Sequence, residues 1–324
     1  MPDSLLTVDA LQKFFKIKRG FPNPVTMTVR AVDNVSFHLK LGEAFGLVGE
    51  SGCGKTTVGR CILRLVEPDK GHVQLSGEDV ANANRARLRL LRRRMQIIFQ
   101  DPYSSLNPRR TVGQTLSEPI KVHKIAPRSE IIDRVVALLQ EVGLSAESMD
   151  KFPHEFSGGQ RQRIGVARAL VFEPELIIAD EPVSALDVSI QSQILILLSK
   201  LQQTHRLSYL FISHDLAVVR YFCQRVAVMY LGRIVEQGSV DEIFDEPLHP
   251  YTHVLREASP IPDPTLRKAA VKLEGEVASA VDPPSGCYFH PRCGHCMDIC
   301  RKEYPTWTTI TEERGVACHL INSK

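Results

Sequence analysis

Residues 49 to 57 read Gly49-Glu50-Ser51-Gly52-Cys53-Gly54-Lys55-Thr56-Thr57. This stretch follows the apolar run 44–48 and precedes a segment of helical character. It matches the pattern G-x-x-x-x-G-K-[ST] of a phosphate-binding loop in the strand-loop-helix setting that the pattern requires. Glycines let backbone N–H groups turn toward phosphate oxygens, and the partial positive charge at a helix start favours the same anion. We therefore predict that these nine residues bind the phosphates of a nucleotide.

Within this loop we expect Lys55 to bridge the terminal phosphates and Thr56 to give its hydroxyl to Mg²⁺. A carboxylate should then follow a second buried strand. Asp180, after the apolar run 176–179, is placed to hold the Mg²⁺, and Glu181 is placed to orient or deprotonate the attacking water. An isolated Asp-Glu pair at a strand end is more often turn chemistry, but the phosphate loop upstream favours the catalytic interpretation.

Short apolar runs alternate with helical stretches along the chain, which predicts an α/β fold with a largely parallel sheet. The predicted strands are 44–48, 95–99, 176–179, 208–212 and 225–229, and the predicted helices are 55–66, 130–142, 159–172 and 189–203. In such sheets, ligands bind at the carboxyl ends of the strands.

The chain has 324 residues, of which 43% are hydrophobic and 24% charged, as in an ordinary globular protein with one large domain and an appendage. No apolar run approaches the length of a membrane span, and the N-terminus lacks signal-peptide character, so we expect a cytoplasmic chain. A net charge of +3 is too mild to predict a nucleic-acid partner. The basic run Arg85 to Arg94 reads as a solvated helix face, with phosphate or lipid-headgroup contact as the alternative.

Prolines at 247, 250, 260, 262, 264, 283 and 284 interrupt any long helix near the C-terminus. We place a domain boundary there, giving a domain 1–247 and a small loop-rich extension 248–324. Five of the eight cysteines lie between Cys287 and Cys318. A reducing cytosol makes disulfides a poor explanation for this clustering, so metal ligation is favoured.

A second glycine-containing motif separates the chain from most other proteins with a phosphate loop. It reads Phe156-Ser157-Gly158-Gly159-Gln160-Arg161-Gln162-Arg163 and resembles the signature motif of ABC ATPases. A Ser-Gly-Gly turn that opens a helix is itself an anion cradle. The resemblance implies a P-loop nucleotide-binding domain of the ABC type with a helical subdomain. It also implies that the signature residues Ser157, Gly158, Gly159 and Gln160 reach the γ-phosphate of ATP bound by an opposite subunit.

Other motifs of that family match in order. Gln100 resembles the Q-loop glutamine that senses Mg²⁺ and the attacking water, and Asp187, in Ser184-Ala185-Leu186-Asp187, resembles the D-loop. His214 resembles the switch histidine that contacts the γ-phosphate. Phe15, with Phe14 as the alternative, resembles the aromatic residue that stacks on adenine; stacking reads no base edge, so GTP is also acceptable. The implied catalytic groups are Glu181, His214 and Lys55, and the implied Mg²⁺ ligands are Thr56, Gln100 and Asp180.

Two stretches resemble the dipeptide, oligopeptide and nickel importer branch of the ABC family: residues 100–109 and the segment that begins Pro247-Leu248-His249-Pro250-Tyr251-Thr252. In related importers a [4Fe-4S] cluster is bound by a segment that resembles Cys287-x5-Cys293-x6-Cys300-x17-Cys318. Cys296 is an extra cysteine, and Cys293-x2-Cys296-x3-Cys300 would also suit Zn²⁺. Thiols without a metal are the third possibility.

The resemblance implies an ATP-hydrolysing subunit that powers import, with di- or oligopeptides as the leading solute and nickel, glutathione or oligosaccharides as alternatives. Its expected partners are a second, different ATPase subunit, two transmembrane permease subunits and, indirectly, an extracytoplasmic solute-binding protein. This would hold the chain at the cytoplasmic face of the inner membrane. A soluble ABC ATPase acting on DNA or ribosomes is disfavoured because there is one phosphate loop and no sustained heptad pattern, and an exporter is disfavoured because no membrane span is fused.

Overall fold

The computed structural model describes residues 4–20, 25–258 and 279–322. Contacts between residues divide the chain into two compact units. The first comprises Met1–Lys40, Ala44–Asn82 and Phe211–Lys324, and the second comprises Leu41–Glu43 and Ala83–Leu210. Both units mix helices and strands, which confirms the predicted α/β class. The prolines at 260, 262 and 264 that helped to place the predicted boundary lie outside the described residues.

The first unit carries the phosphate loop and the cysteine-rich segment. Its elements are β1 (Ser4–Arg19), β2 (Val25–Lys40), β3 (Ala44–Val48), α1 (Lys55–Ile62), β4 (Lys70–Leu75), β5 (Glu78–Asp79), α8 (Leu216–Phe222), β9 (Arg225–Tyr230), β10 (Arg233–Ser239), α9 (Val240–Asp245), α10 (Pro250–Ala258), α11 (Asp298–Lys302), β11 (Thr308–Thr309), β12 (Gly315–Val316) and α12 (His319–Asn322).

Two sheets organise this unit. In one, β3 pairs in parallel with β9, which pairs antiparallel with β10, and β12 and β11 extend that edge. All five residues of β3 are buried, as expected for a strand covered on both faces. The other sheet is antiparallel, in the order β2-β1-β4-β5. On β2, buried Val35, Phe37 and Leu39 alternate with more exposed neighbours, as expected where one face of a sheet packs on a core.

The second unit carries the signature motif and the Asp-Glu pair. Its elements are α2 (Arg85–Arg94), β6 (Met95–Ile98), α3 (Pro102–Ser105), α4 (Val112–His123), α5 (Ile131–Glu141), α6 (Gly158–Leu170), β7 (Leu176–Asp180) and α7 (Val188–His205), followed by β8 (Ser208–Ser213), within which the chain passes into the first unit. Strands β6 and β7 pair in parallel. Helices α3 to α6, inserted between them, agree with the expected helical subdomain.

The predicted strands β3, β6, β7, β8 and β9 all begin at the predicted residue and end within one residue of the predicted end. Helix α1 was predicted to run to residue 66 but ends at Ile62. Arg64 adopts a left-handed conformation with φ 51°, and the N–H of Leu65 donates to the carbonyl of Arg60. This is a common way for a helix to end, but it uses arginine where glycine would have signalled the end in the sequence.

Among the residues that the structure describes, none of the helices has both the length and the apolar character that crossing a bilayer requires.

Candidate nucleotide site

The phosphate loop connects β3 to α1 in the first unit. Gly49 and Gly54 have positive φ angles of 153° and 107°. A Cβ atom on Gly49 would lie 2.1 Å from the carbonyl oxygen of Met229, and one on Gly54 would lie 1.9 Å from the carbonyl oxygen of Ala31. Neighbouring backbone therefore excludes any side chain at either position, and the loop can follow this path only with glycine.

Lys55 is the first residue of α1 and is only 4% exposed. Its Nζ donates hydrogen bonds to the carbonyl oxygens of Gly49, at 2.8 Å, and Glu50, at 3.0 Å. The first turn of α1 contains no acidic residue that would repel an anion. Burial raises the pKa of the Cys53 thiol, so this side chain adds no negative charge to the loop at neutral pH. The loop thus encloses its lysine and carries no charge from Cys53, and its binding of phosphate stays a prediction.

Phe15 lies on β1, in the same unit, and its side chain is 37% exposed. The Nζ of Lys13 lies 5.5 Å from the centre of the Phe15 ring and 2.9 Å from the Oδ1 of Asp69. Phe14 points to the opposite face of the strand, because successive side chains of a strand alternate. An exposed ring beside a cation is compatible with stacking on a base, and the role of Phe15 stays a prediction.

The Asp-Glu pair lies at the carboxyl end of β7 in the second unit. Asp180 is buried at the last position of the strand, and Glu181 follows with φ 47°. Left-handed backbone is unusual outside glycine and concentrates at functional sites. The Nε2 of Gln100 donates to the Oε2 of Glu181 at 2.9 Å. Two residues chosen independently from the sequence, 81 positions apart, are thus in direct contact.

The signature motif begins α6 in the same unit. Ser157 caps the helix: its Oγ accepts the N–H of Gln160, and the Oε1 of Gln160 accepts the N–H of Ser157. Ser157, Gly158 and Gln160 are exposed, whereas Gly159 is buried. A Cβ atom on Gly159 would lie 2.5 Å from the Cγ2 of Ile190 on α7. Gly159 is therefore held against α7, while Ser157, Gly158 and Gln160 are exposed to solvent.

The two remaining family residues lie at the starts of helices. Asp187 is exposed immediately before α7 in the second unit. His214, in the first unit, is exposed after β8, and Asp215 beside it caps α8 by accepting the N–H of Ala217 at 2.8 Å. Both positions are accessible to a ligand or a partner, and both roles stay predictions.

The five C-terminal cysteines lie in the first unit with buried or half-buried thiols. The sulfurs of Cys287, Cys293 and Cys318 each accept a hydrogen bond from the backbone N–H two residues further on. Burial raises the pKa of Cys287 to about 12, and neighbouring cysteines add to this rise. Among the described residues, no group of three or more His, Cys, Asp or Glu side chains is arranged to hold a metal ion.

One contact of the phosphate loop was not predicted. The guanidinium of Arg292, which is 3% exposed, forms two hydrogen bonds of 3.0 Å to the two carboxylate oxygens of Glu50. The backbone N–H of Glu50 donates to the hydroxyl of Tyr251 at 2.9 Å. Arg292 lies in the stretch His290-Pro291-Arg292 directly before Cys293, and nothing in that stretch points to Glu50.

The glycine-dependent loop, the carboxylate pair and the capped signature turn define an ATPase of the ABC class. A family model described as "ABC transporter" matches residues 32–184, and one described as "Oligopeptide/dipeptide transporter, C-terminal region" matches residues 235–300. The chain belongs to the ATP-binding subunits of the oligopeptide/dipeptide family of ABC transporters, whose activity is ATP hydrolysis coupled to transport.

Similar proteins agree with this assignment. A probable peptide ABC transporter ATP-binding protein of Sinorhizobium fredii is 52% identical over 99% of this chain and 91% of its own length. An oligopeptide transport ATP-binding protein of Bacillus subtilis is 46% identical over 99% of this chain and 98% of its own. Among solved structures, the ATP-binding cassette MJ0796, as a dimer bound to ADP and Pi, aligns with a TM-score of 0.64 and 27% identity over 72% of this chain and 98% of that one.

Proposed function

We propose that this chain hydrolyses ATP as one of two paired ATPase subunits beneath the permease of a peptide importer. Glu181 orients the attacking water, Lys55 and His214 stabilise charge on the γ-phosphate, and Thr56, Asp180 and Gln100 hold the Mg²⁺ shell. Apart from Glu50, whose N–H donates to Tyr251, the remaining loop residues bind phosphate through backbone N–H groups. Phe15 stacks on the base.

The contact between Gln100 and Glu181 carries the catalytic part of this proposal. A general base must be held in a fixed orientation to receive a proton from water. Glu181 is oriented twice, by its left-handed backbone and by the amide of Gln100 at 2.9 Å. Asp180, immediately before it, is buried and suited to a metal ion, so the two carboxylates have different environments and different roles.

Replacing the Glu181 carboxylate tests this assignment. In the assembled transporter, Glu181→Gln should lower the ATP turnover number by about 10²–10⁴-fold, because the amide cannot accept the proton. ATP should still bind, and size-exclusion chromatography should show an ATP-stabilised pair of subunits. Glu173→Gln, which alters an exposed carboxylate paired with Arg134, is the matched control and should leave turnover unchanged. Unchanged turnover in Glu181→Gln would remove Glu181 from the mechanism.

The exposed signature supports the pairing. Ser157, Gly158 and Gln160 form an anion cradle at the start of α6, and the similar cassette MJ0796 was solved as a dimer with ADP and Pi. We infer that the partner is a second, non-identical ATPase subunit and that the pair is held at the cytoplasmic face of the membrane by two permease subunits, fed by an extracytoplasmic binding protein. Residues 100–109 form the contact with the permease.

Di- and oligopeptides are the proposed solutes, because the similar proteins of S. fredii and B. subtilis are named for peptide and oligopeptide transport. The test is ATP-driven uptake into proteoliposomes that contain this chain with its partner subunit, the permease subunits and the binding protein. Labelled di- and oligopeptides should accumulate, and glutathione, nickel and an oligosaccharide should not. Uptake of one of those three without peptide uptake would contradict the proposal.

We also propose that residues 248–324 form an extension of the ATPase domain 1–247 and that Cys287, Cys293, Cys300 and Cys318 bind a [4Fe-4S] cluster. N–H···S hydrogen bonds to three of these sulfurs support the choice, because such bonds stabilise thiolate ligands. The Sγ of Cys296 instead donates to the carbonyl of Met297 at 3.6 Å. A cluster held by four thiolates supplies cross-links to a segment built mainly of loops.

Anaerobic purification followed by visible absorption and by iron, sulfide and zinc analysis tests the cluster. We expect about four iron atoms per chain. Cys300→Ser should lose the iron, and Cys296→Ser should retain it. A colourless protein with one zinc ion would support the zinc alternative, and a protein without either metal would leave the five residues as simple thiols.

A further inference from the structure

The C-terminal extension contacts the phosphate loop through Glu50, and all three functional groups of this residue have partners in the first unit. The carboxylate accepts two hydrogen bonds of 3.0 Å from Arg292, and the N–H donates to Tyr251 at 2.9 Å. The carbonyl accepts from the Nζ of Lys55 at 3.0 Å. A single loop residue is thus fixed on one side by the extension and contacts, on the other, the lysine expected to bind phosphate.

The environment of this pair makes it a strong contact. The Arg292 side chain is 3% exposed, its guanidinium also donates to the hydroxyl of Tyr230 at 3.4 Å, and Tyr251 is fully buried. Two parallel hydrogen bonds between a guanidinium and a carboxylate fix both position and orientation, and low exposure reduces the screening of the pair by solvent.

The negative charge of Glu50 means that its contact with Arg292 affects ATP binding. A carboxylate in a loop that binds a triphosphate would repel its ligand unless a cation neutralises it. Arg292 supplies that cation and holds the carboxylate in one place. The backbone N–H of Glu50 is already bonded to Tyr251, so phosphate binding falls to the N–H groups that follow in the loop.

We propose that Arg292 is a positioning residue for ATP binding, through which the cysteine-bearing extension holds the phosphate loop ready and neutralises Glu50. This inference rests on the proposed role of the loop, and it holds whether or not the neighbouring cysteines bind a cluster.

The test measures ATP affinity of the isolated chain with a fluorescent ATP analogue, so that neither partner nor turnover is needed. Arg292→Met should raise the dissociation constant about tenfold, because the unpaired Glu50 carboxylate now opposes phosphate. The double variant Glu50→Gln with Arg292→Met should recover an affinity within about threefold of the original, since the repulsion is removed. Arg301→Met, an exposed arginine of the same segment, is the matched control and should bind normally.

Ionic strength separates this role from a loss of folding. The ratio of the dissociation constants of the single and double variants should shrink as salt rises from about 0.05 to 0.5 M, because salt screens the unpaired carboxylate. A merely structural role predicts a lowered unfolding temperature with a ratio that is independent of salt. If Arg292→Met does not fold, Arg292→Lys decides, with about threefold weaker binding expected because lysine cannot form the paired hydrogen bonds.

Unchanged ATP affinity in folded Arg292→Met or, failing that, Arg292→Lys would overturn the inference, as would a double variant no better than the single one. Failure of the unmodified chain to bind the ATP analogue at all would instead contradict the proposed function of the loop.

Discussion

The phosphate loop and the signature turn both contain glycines and both begin a helix. They differ in whether their polar groups are bonded to the rest of the chain or exposed. In the loop, Lys55 is 4% exposed and bonded to two carbonyl groups, and Glu50 has partners for every functional group. In the signature turn, Ser157 and Gln160 bond to each other and remain exposed. The side chains of Lys55 and Glu50 in the phosphate loop are thus bonded within the chain, whereas the signature turn exposes its polar groups, which agrees with the proposed composite site between two subunits.

Among the effects that test this comparison, the largest is expected from removing the charge of Lys55, which lies inside the phosphate loop. Lys55→Met should lower ATP turnover of the assembled transporter by about 10²–10³-fold, the usual effect of losing one donor to developing charge. It should also weaken ATP binding by the isolated chain, because this site is built by the chain itself. Binding by fluorescence titration and turnover by phosphate release measure the two effects.

Lys200→Met is the control, because Lys200 is exposed on α7. It should change neither quantity. If Lys55→Met bound ATP normally as an isolated chain, the interpretation of the loop as an internally completed site would be wrong.

Blocking the signature turn should lower turnover without weakening ATP binding by the isolated chain. Ser157→Arg places a bulky side chain on the exposed cradle and should lower turnover of the paired subunits by about 10²-fold, because the opposite nucleotide is misplaced. ATP binding by the isolated chain should stay within about twofold of normal. Ser145→Arg, at an exposed serine before a 3-10 turn, is the control. Weakened ATP binding by isolated Ser157→Arg would show that the signature serves its own chain.

The buried part of the signature turn should respond through stability. Gly159→Ala would bring a Cβ atom to 2.5 Å from Ile190, and separating α6 from α7 should cost about 2–3 kcal/mol of unfolding free energy. Gly165→Ala, on the same helix with no atom within 4 Å of the added Cβ, should instead stabilise by about 0.5–1 kcal/mol. Urea unfolding of the isolated chain measures both. Equal midpoints for the two variants would contradict the packing role of Gly159.

Buried strands and short motifs were predictable from the sequence because their signals are local. The fully buried run of β3 and the loop after it are contiguous, so residues 44–57 alone predict the phosphate site. The long strands β1 and β2 were not predicted, although they pair along most of their length. Their register shifts near Ala10 and Asn34, which have φ angles of 46° and 60°, so the alternation that signals a strand is interrupted.

Contacts between residues far apart in the sequence were also not predicted. Arg292 and Glu50 are 242 positions apart, and neither residue has a neighbour in sequence that points to the other. By contrast, Glu181 was predicted from its place after a buried strand and Gln100 from its resemblance to the Q-loop, although the hydrogen bond between them was not predicted. Sequence motifs thus identified the residues that we propose act on the nucleotide, and they missed Arg292, which we propose acts through the phosphate loop.

The smallest expected effect is the response of the phosphate-loop region to acid. His249 is fully buried behind the phosphate loop; its Nδ1 accepts the N–H of Tyr251, whose hydroxyl in turn accepts from Glu50. Burial lowers the pKa of His249 to about 3, against 6.5 for an unperturbed histidine, so the unfolded chain binds a proton that the folded chain excludes. The stability contributed by neutral His249 is therefore complete above pH 6.5 and is lost as the pH falls toward 3.

Between pH 7 and 5.5 this histidine should cost about 1 kcal/mol of unfolding free energy. His249→Asn should remove that part of the slope, because the amide oxygen can still accept the N–H of Tyr251 without titrating. Glu236 accepts the N–H of His249, and burial raises the pKa of its carboxyl. Protonation of Glu236 therefore favours the folded chain as the pH falls, which opposes the effect of His249. For this reason the variant must be compared with the unmodified chain at each pH. His253→Asn, at an exposed histidine of α10, should retain the slope. Identical slopes for the unmodified chain and His249→Asn would show that acid acts elsewhere than behind the phosphate loop.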